Sequence, residues 1–313
     1  MEIVIAMGCM ASGKSTHVEG YLEKGYVRLN RDSIGGRLDD LIPMLEKEIK
    51  AGKDNFVLDN TYPTVQSRKP VIDIGKKYNM PVKCLLMGTS IEDAQVNAAA
   101  RMIRRYGRLL MPEEIKKVSR KDPNIFPPFV LFSYRKRFEE PTTKEGFSSV
   151  EKVEFKRVFD ANYKNKALLL DYDGTLRETK SGNVCPNSPD DIRILPGRAE
   201  TLNKYKKEGY LLLGVSNQAG IALGKLSRED AVACFERTNE LLGIDIEYSF
   251  CPHRNGPISC YCRKPMPGMG AEFIEKHKLD MKKTIMVGDM KSDENFARRL
   301  GVRYADQKDF FQA

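Results

Sequence analysis

The sequence has no apolar stretch approaching the roughly 20 residues that a bilayer-spanning helix needs, so a membrane-spanning protein is not expected. It has no internal repeat and no low-complexity tract, which sets aside solenoid and fibrous arrays. Its first residues run straight into Ile3-Val4-Ile5-Ala6-Met7, without a charged lead or a small-residue cleavage site, and the expectation is an intracellular, cytoplasmic protein. In that compartment the seven cysteines do not read as a disulfide framework. Acidic residues are scarce in one stretch: from Arg101 to Arg137, eleven Lys or Arg face three acids.

What is present is a chain of 313 residues, long for one hydrophobic core, so two domains are the natural reading. A hydrophobic content of 41% with 30% charged residues describes a globular protein rather than a disordered one. The net charge of +9 fits a polyanionic partner, and it fits a merely soluble basic protein equally well.

Short apolar runs at residues 3–7, 26–29, 56–58 and 82–87 alternate with helical patterns near 14–23, 38–50, 65–78 and 91–105. Residues 112–143 turn basic, Pro-rich and irregular, and 149–159 alternate as a half-buried strand would. A second strand–helix series begins at 167–170 and continues with strands at 211–215, 248–251 and 284–287. The fold class expected is α/β, with two doubly wound parallel-sheet domains over residues 1–160 and 161–313. A basic, arginine-rich lid over 97–137 is assigned to the first.

Gly8-Cys9-Met10-Ala11-Ser12-Gly13-Lys14-Ser15 satisfies G-x-x-x-x-G-K-[ST] between a strand and a helix, the context that motif requires. Its glycines turn backbone N–H groups inward around phosphates, and the helix N-terminus adds positive potential. Lys14 then reaches the β- and γ-phosphates and the Ser15 hydroxyl ligates Mg²⁺. Gly8, Ser12, Gly13, Lys14, Ser15 and Thr16 are the candidate ligands of a nucleoside triphosphate. Asp32, just beyond the second strand, reads either as the base that takes a proton from an attacking hydroxyl or as the N-cap of the next helix. Asp59-Asn60-Thr61 either completes a magnesium shell or caps a turn. Arg101, Arg104, Arg105 and Arg108 recur at helical spacing. They read as a lid neutralising the transferred phosphoryl group or as a solvated basic face.

These residues resemble the polynucleotide 5'-kinase family over about 150 residues. The resemblance implies ATP and Mg²⁺ on Lys14 and Ser15, Asp32 as general base, and lid arginines such as Arg101 and Arg105 on the triphosphate. Where that family carries an arginine soon after the base, Ser33-Ile34-Gly35-Gly36 intervene here and the next arginine is Arg37.

In the second series Asp171-Tyr172-Asp173-Gly174-Thr175 follows a short apolar strand. Two carboxylates two residues apart on a strand face one site, one as nucleophile on phosphorus and the other as proton donor to the leaving oxygen. Mg²⁺ must offset their repulsion of a phosphate dianion, with Asp171, Asp173 and Asp289 as its expected ligands and Asp293 as a further carboxylate. Ser216 and Asn217 offer a hydroxyl and an amide to phosphate oxygens, and Lys264 neutralises the phosphorylated intermediate. The set resembles the haloacid-dehalogenase-type phosphatases over residues 165–305. That implies Asp171 as nucleophile, Asp173 as acid/base, and a haloacid-dehalogenase-like Rossmannoid fold after a P-loop kinase fold.

Cys251, His253, Cys260 and Cys262 supply three sulfurs and one imidazole within the loop 251–262, which suits a structural Zn²⁺. Such a clip delivers Arg263 and Lys264 to the site. This cluster, with Ser216-Asn217-Gln218 and Cys262-Arg263-Lys264-Pro265, resembles the zinc-containing heptose-bisphosphate and histidinol-phosphate phosphatases. The combined expectation is an end-healing enzyme, a 5'-hydroxyl kinase and 3'-phosphatase acting on DNA or RNA ends ahead of a nucleic-acid ligase. The alternative is a kinase–phosphatase acting on a small molecule such as a sugar phosphate.

Overall fold

The structure is a computed structural model that describes residues 1–158 and 160–312. Two compact units emerge, Met1–Ala98 with Val118–Arg157 and Ala99–Lys117 with Val158–Ala313.

The first unit is built on β1 (Glu2–Met7), β2 (Val27–Leu29), β3 (Asn55–Asp59), β4 (Val82–Met87) and β5 (Ser149–Val153). They form one sheet in the order β2-β3-β1-β4-β5, and every pairing is parallel. Central β1 shows why its sequence is a continuous apolar run. Ile3, Ile5 and Met7 enter one buried cluster with Phe56 and Leu58, while Val4 and Ala6 enter another with Val18, Val57 and Leu85. Alternate residues face opposite sides of a strand, and here both sides are covered. The helices of this half of the chain are α1 (Lys14–Leu22), α2 (Arg31–Ile34), α3 (Leu41–Lys50), α4 (Val65–Lys77), α5 (Ile91–Tyr106), α6 (Pro112–Val118) and α7 (Phe129–Arg137), of which the second half of α5 and nearly all of α6 fall in the second unit.

The second unit repeats the plan with β6 (Ala167–Leu170), β7 (Arg177–Thr179), β8 (Ile192–Ile194), β9 (Leu211–Asn217), β10 (Glu247–Cys251), β11 (Ile285–Gly288) and β12 (Arg303–Asp306). The main sheet runs β10-β9-β6-β11-β12, all parallel, and β7 pairs with β8 as a separate antiparallel ribbon. Its helices are α8 (Arg198–Lys207), α9 (Ala219–Ala222), α10 (Arg228–Leu242), α11 (Gly268–His277), α12 (Lys291–Leu300) and α13 (Gln307–Phe310). Both sheets change direction beside their first strand, β1 or β6, and the crevice at that strand's carboxyl end is where such sheets hold ligands.

Three expectations are corrected. Residues 112–143 are not irregular throughout but carry α6 and α7. Pro112 opens α6, where its missing N–H costs nothing, with Glu113 and Glu114 in the first turn and Lys116 and Lys117 in the last. The strand expected over 149–159 closes at Val153, and residue 159 lies outside the described residues. The lid expected over 97–137 divides: residues 99–117, with Arg101, Arg104, Arg105 and Arg108, group with the second unit. There Arg104 pairs with Glu275 at 2.6 Å and the Leu109 N–H donates to Glu272 at 3.3 Å.

Candidate active sites

In the first unit, Gly8 follows β1 at φ 153° and Gly13 caps the start of α1 at φ 87°. A Cβ on Gly8 would lie 2.9 Å from Met87 Cβ and 2.9 Å from Ser12 Oγ, so only glycine fits the loop there. The loop backbone is anchored from outside, because Thr89 Oγ1 donates to the Ser12 carbonyl at 2.8 Å and Asn97 Nδ2 to the Ala11 carbonyl at 2.9 Å. Lys14 Nζ donates to the carbonyls of Gly8 (3.0 Å) and Cys9 (2.8 Å), which holds its ammonium at the mouth of the loop. Thr16 follows in the exposed first turn of α1.

Ser15 Oγ donates to Asp59 Oδ2 at 3.0 Å, joining the loop to the end of β3. These hard oxygen donors on one spot fit Mg²⁺. Asn60 is spent on structure: its Oδ1 accepts the Arg31 N–H at 2.9 Å and its Nδ2 donates to the Leu29 carbonyl at 3.3 Å. The cap of α2 goes to Asn30, whose Oδ1 accepts the Ser33 N–H at 3.1 Å. Asp32 is thereby released from capping duty, and its half-exposed carboxylate meets the Arg31 guanidinium at 3.0 Å.

In the second unit, the charges of Asp171, Lys264 and Asp293 are buried, while Asp289 is exposed. Lys264 Nζ, 2% exposed, lies 2.5 Å from Asp171 Oδ1 and 2.8 Å from Asp293 Oδ1, and donates to the Val215 carbonyl at 2.8 Å. Burial pushes the Asp171 carboxyl up to about 7 against the pull of Lys264, with Asp293 adding to the rise. Burial also acts against the Lys264 ammonium, but the two carboxylates outweigh it and hold the group protonated. The Asp289 carboxyl is raised by burial and by Asp293. One lysine against three carboxylates leaves a site short of positive charge, and oxygens of Asp171, Asp289 and Asp293 all lie within 4.8 Å of one another. That donor set fits Mg²⁺. Gly174 permits the arrangement, because at φ 84° its Cβ would sit 2.5 Å from Asp289 Oδ2.

Asp173 was expected beside Asp171 as a metal ligand, and the structure places it differently. β6 ends at Leu170, so strand alternation no longer governs residues 171–173. Its Oδ1 accepts from Arg177 Nε at 2.8 Å and its Oδ2 from Gln218 Nε2 at 2.9 Å, outside the carboxylate group. Gln218 also donates to Ser216 Oγ at 2.9 Å. Asn217 was expected on phosphate oxygens. Its amide instead grips the Lys264 backbone, accepting the N–H at 2.9 Å and donating to the carbonyl at 3.0 Å.

The four expected soft ligands come together. Cys251 Sγ lies 3.7 Å from Cys260 Sγ, and His253 Nδ1 lies 3.3 Å from both Cys251 Sγ and Cys262 Sγ. A tetrahedral ion with metal–sulfur bonds of about 2.3 Å needs sulfur–sulfur edges near 3.8 Å. The arrangement fits that ion and is far too open for a disulfide. Arg263 Nη1 donates to the His253 carbonyl at 3.3 Å, tying the cluster to the segment that carries Lys264.

Sequence reasoning missed Arg28, which pairs with Asp59, and Arg177, 1% exposed and anchored by the Cys234 carbonyl (2.7 Å) and Thr238 Oγ1 (2.8 Å). An arginine in so short a strand as β2, and one four residues after Asp173, were the available signals.

Residues 166–311 match the family described as polynucleotide kinase 3 phosphatase, and residues 3–117 match an AAA domain. The chain is 34% identical over 163 residues to the bifunctional polynucleotide phosphatase/kinase of Schizosaccharomyces pombe, covering 51% of this chain and 35% of that protein. It thus spans about a third of that relative's length. It is also 34% identical over 146 residues to a probable D-glycero-D-manno-heptose-1,7-bisphosphate 7-phosphatase of Thermoplasma volcanium, covering 44% of this chain and 96% of that one. Among solved structures, one described as the Pnkp1/Rnl/Hen1 RNA repair complex covers 97% of this chain and 95% of its counterpart. Its 17% identity and TM-score of 0.33 make that likeness too weak to carry an argument.

Proposed function

Because the chain belongs, through residues 166–311, to the phosphatase family that takes in polynucleotide kinase 3 phosphatases, and carries a P-loop domain ahead of it, we propose that it heals nucleic-acid ends. The observation that carries this reading is the presence in one chain of two phosphoryl-handling sites, one around Lys14 and Ser15 and one around Asp171 and Lys264. In the first, ATP lies on Gly8, Ser12, Gly13, Lys14, Ser15 and Thr16, and Asp32 takes the proton of the attacking 5'-hydroxyl.

In the second, the Asp171 carboxylate attacks the 3'-phosphate, and the bond from phosphorus to the sugar oxygen breaks. Asp173 gives a proton to that oxygen, so its Oδ2 exchanges Gln218 for the leaving group. Water then attacks the aspartyl phosphate, Asp173 takes its proton, and Asp171 is released as the carboxylate. Lys264 offsets the growing negative charge throughout, and Ser216 stands beside it at the end of β9. Magnesium, held by Ser15 and Asp59 in one unit and by Asp171, Asp289 and Asp293 in the other, supplies charge neutralisation. Zinc on Cys251, His253, Cys260 and Cys262 fixes the loop before Lys264. Within the described residues no helix is long and apolar enough to cross a membrane. A nucleic-acid ligase is the natural consumer of 5'-phosphate and 3'-hydroxyl ends.

The Cys/His cluster and the coverage of the Thermoplasma volcanium relative favour a second reading, a phosphatase for a small sugar phosphate. A short oligonucleotide with a 5'-hydroxyl and a 3'-phosphate, incubated with ATP and Mg²⁺ and resolved by mass, separates the two. Phosphate gained at the 5' end and lost at the 3' end supports end healing. Unchanged ends with hydrolysis of heptose bisphosphate overturn it.

A further inference from the structure

Arg28 is an arginine that the proposed reaction leaves idle. It stands in the middle of β2, and its Nη2 both pairs with Asp59 Oδ2 and donates to Ser15 Oγ at 3.2 Å. Ser15 Oγ donates to that same Oδ2 at 3.0 Å, so hydroxyl, carboxylate and guanidinium share one point. Asp59 is 1% exposed, whereas the Arg28 side chain is 32% exposed and its Nε is buried without a hydrogen-bond partner.

Two physical requirements meet there. A carboxylate as buried as Asp59 needs a countercharge, since an unpaired charge in the interior is strongly destabilising. Ser15 and Asp59 are also the donors to which a P-loop site brings Mg²⁺. A guanidinium and a divalent cation on the same oxygen repel each other, and the repulsion is strong where water is scarce.

We propose that Arg28 is the resident countercharge of Asp59 and withdraws from it when magnesium nucleotide binds, so that metal affinity is set against the Arg28–Asp59 pair. The inference rests on the reading of the first unit as an ATP site. Withdrawal is easy for this side chain, which already reaches solvent and loses no hydrogen bond at Nε.

The proposal fixes two opposite signs for one substitution. Arg28→Met removes the competitor, so metal binds more tightly, and it strips Asp59 of its partner, so the nucleotide-free protein is less stable. An arginine that served only as a strut would lower stability without tightening metal.

Mn²⁺ binding followed by electron paramagnetic resonance, with and without ADP, reads the first sign. It uses the full chain carrying Asp171→Asn, which weakens the second unit's carboxylate group for the ion. Thermal unfolding without nucleotide reads the second. Arg28→Met is expected to tighten ADP-dependent Mn²⁺ binding by about fivefold or more, the size of an ordinary coupling between sites. Arg28→Lys, which keeps the charge, should fall between, and Arg28→Gln carries the same test if the Met variant does not fold. Equal or weaker Mn²⁺ binding in the neutral variants overturns the proposal alone. Absence of ADP-dependent Mn²⁺ binding in the protein with Arg28 intact overturns the ATP-site reading and this inference with it.

Discussion

On the proposed reading, the two sites would handle the same chemical group by opposite means. Around Lys14 the work falls to backbone, a glycine-bounded loop held by Thr89 and Asn97, with Asp32 half exposed on a four-residue helix. Around Asp171 it falls to buried side-chain charge, with Asp171, Lys264 and Asp293 all at most 10% exposed. A backbone cradle tolerates loss of its side chains without unfolding, since little is buried with them. Where one buried lysine offsets several carboxylates, removing that lysine costs stability as well as activity.

The largest expected effects test that contrast directly. Lys14→Ala should lower 5'-phosphorylation by more than about a thousandfold, leave 3'-hydrolysis untouched and barely move the thermal midpoint. Asp171→Asn should lower hydrolysis by more than about a thousandfold and spare phosphorylation, and because it removes one of three mutually repelling carboxylates it should not lower the stability of the metal-free protein. Paired rate and unfolding measurements on each variant decide it. Loss of both activities in either one would make the two sites a single functional unit.

The Cys/His cluster offers a separate test. Cys260→Ser, or zinc chelation, frees the segment that leads to Lys264, and hydrolysis should fall at least about tenfold. Phosphorylation assayed in the same sample should not change. An unaltered hydrolysis rate after verified metal loss would mean that Asp171, Asp293, the Val215 carbonyl and the Asn217 amide hold Lys264 without help from the cluster.

Arg177→Met sharpens the role of Asp173. Arg177 holds Oδ1 from a buried seat over the rings of Tyr172 and Phe235, at 5.2 and 5.1 Å. Loss of this hold should slow hydrolysis of a sugar 3'-phosphate by roughly a hundredfold, the contribution of a placed proton donor. A nitrophenyl phosphate, whose leaving oxygen needs no proton, should be slowed far less. Equal loss on both substrates would make Arg177 a general structural support.

How legible each site was in the sequence follows the same contrast. A backbone cradle is dictated by glycine positions and one lysine, so Gly8 to Ser15 gave it away as a string. The parallel sheets were equally plain, because strands buried on both faces are continuous apolar runs such as residues 3–7 and 167–170. What stayed hidden depends on partners distant in the chain. Arg28 meets Asp59 across 31 positions, and Arg177 meets Thr238 across 61. The division of α5 between the units was hidden as well, since basic helical spacing does not say which acids wait opposite. Asp173 misled because alternation was carried past the last residue of β6. β12, with Arg303 exposed and the other three residues part-buried, left no apolar run to find.

The smallest expected effect concerns Asn217, and it asks how fully the second site is built in advance. Its amide clamps the Lys264 backbone at both N–H and carbonyl, 2.9 and 3.0 Å away, which uses one of its two N–H donors and leaves the other to aim at a phosphate. Asn217→Ala removes two hydrogen bonds, a loss of about 1–3 kcal/mol in stability, and lets the lysine drift. Because small misplacements of a charge-stabilising group act on the transition state, kcat should fall about tenfold while KM stays level. Inorganic phosphate should inhibit the variant as it inhibits the parent. If KM and phosphate inhibition moved instead, with the thermal midpoint unchanged, the amide would be touching substrate. The second site would then, like the first, take its final form only around the phosphate it binds.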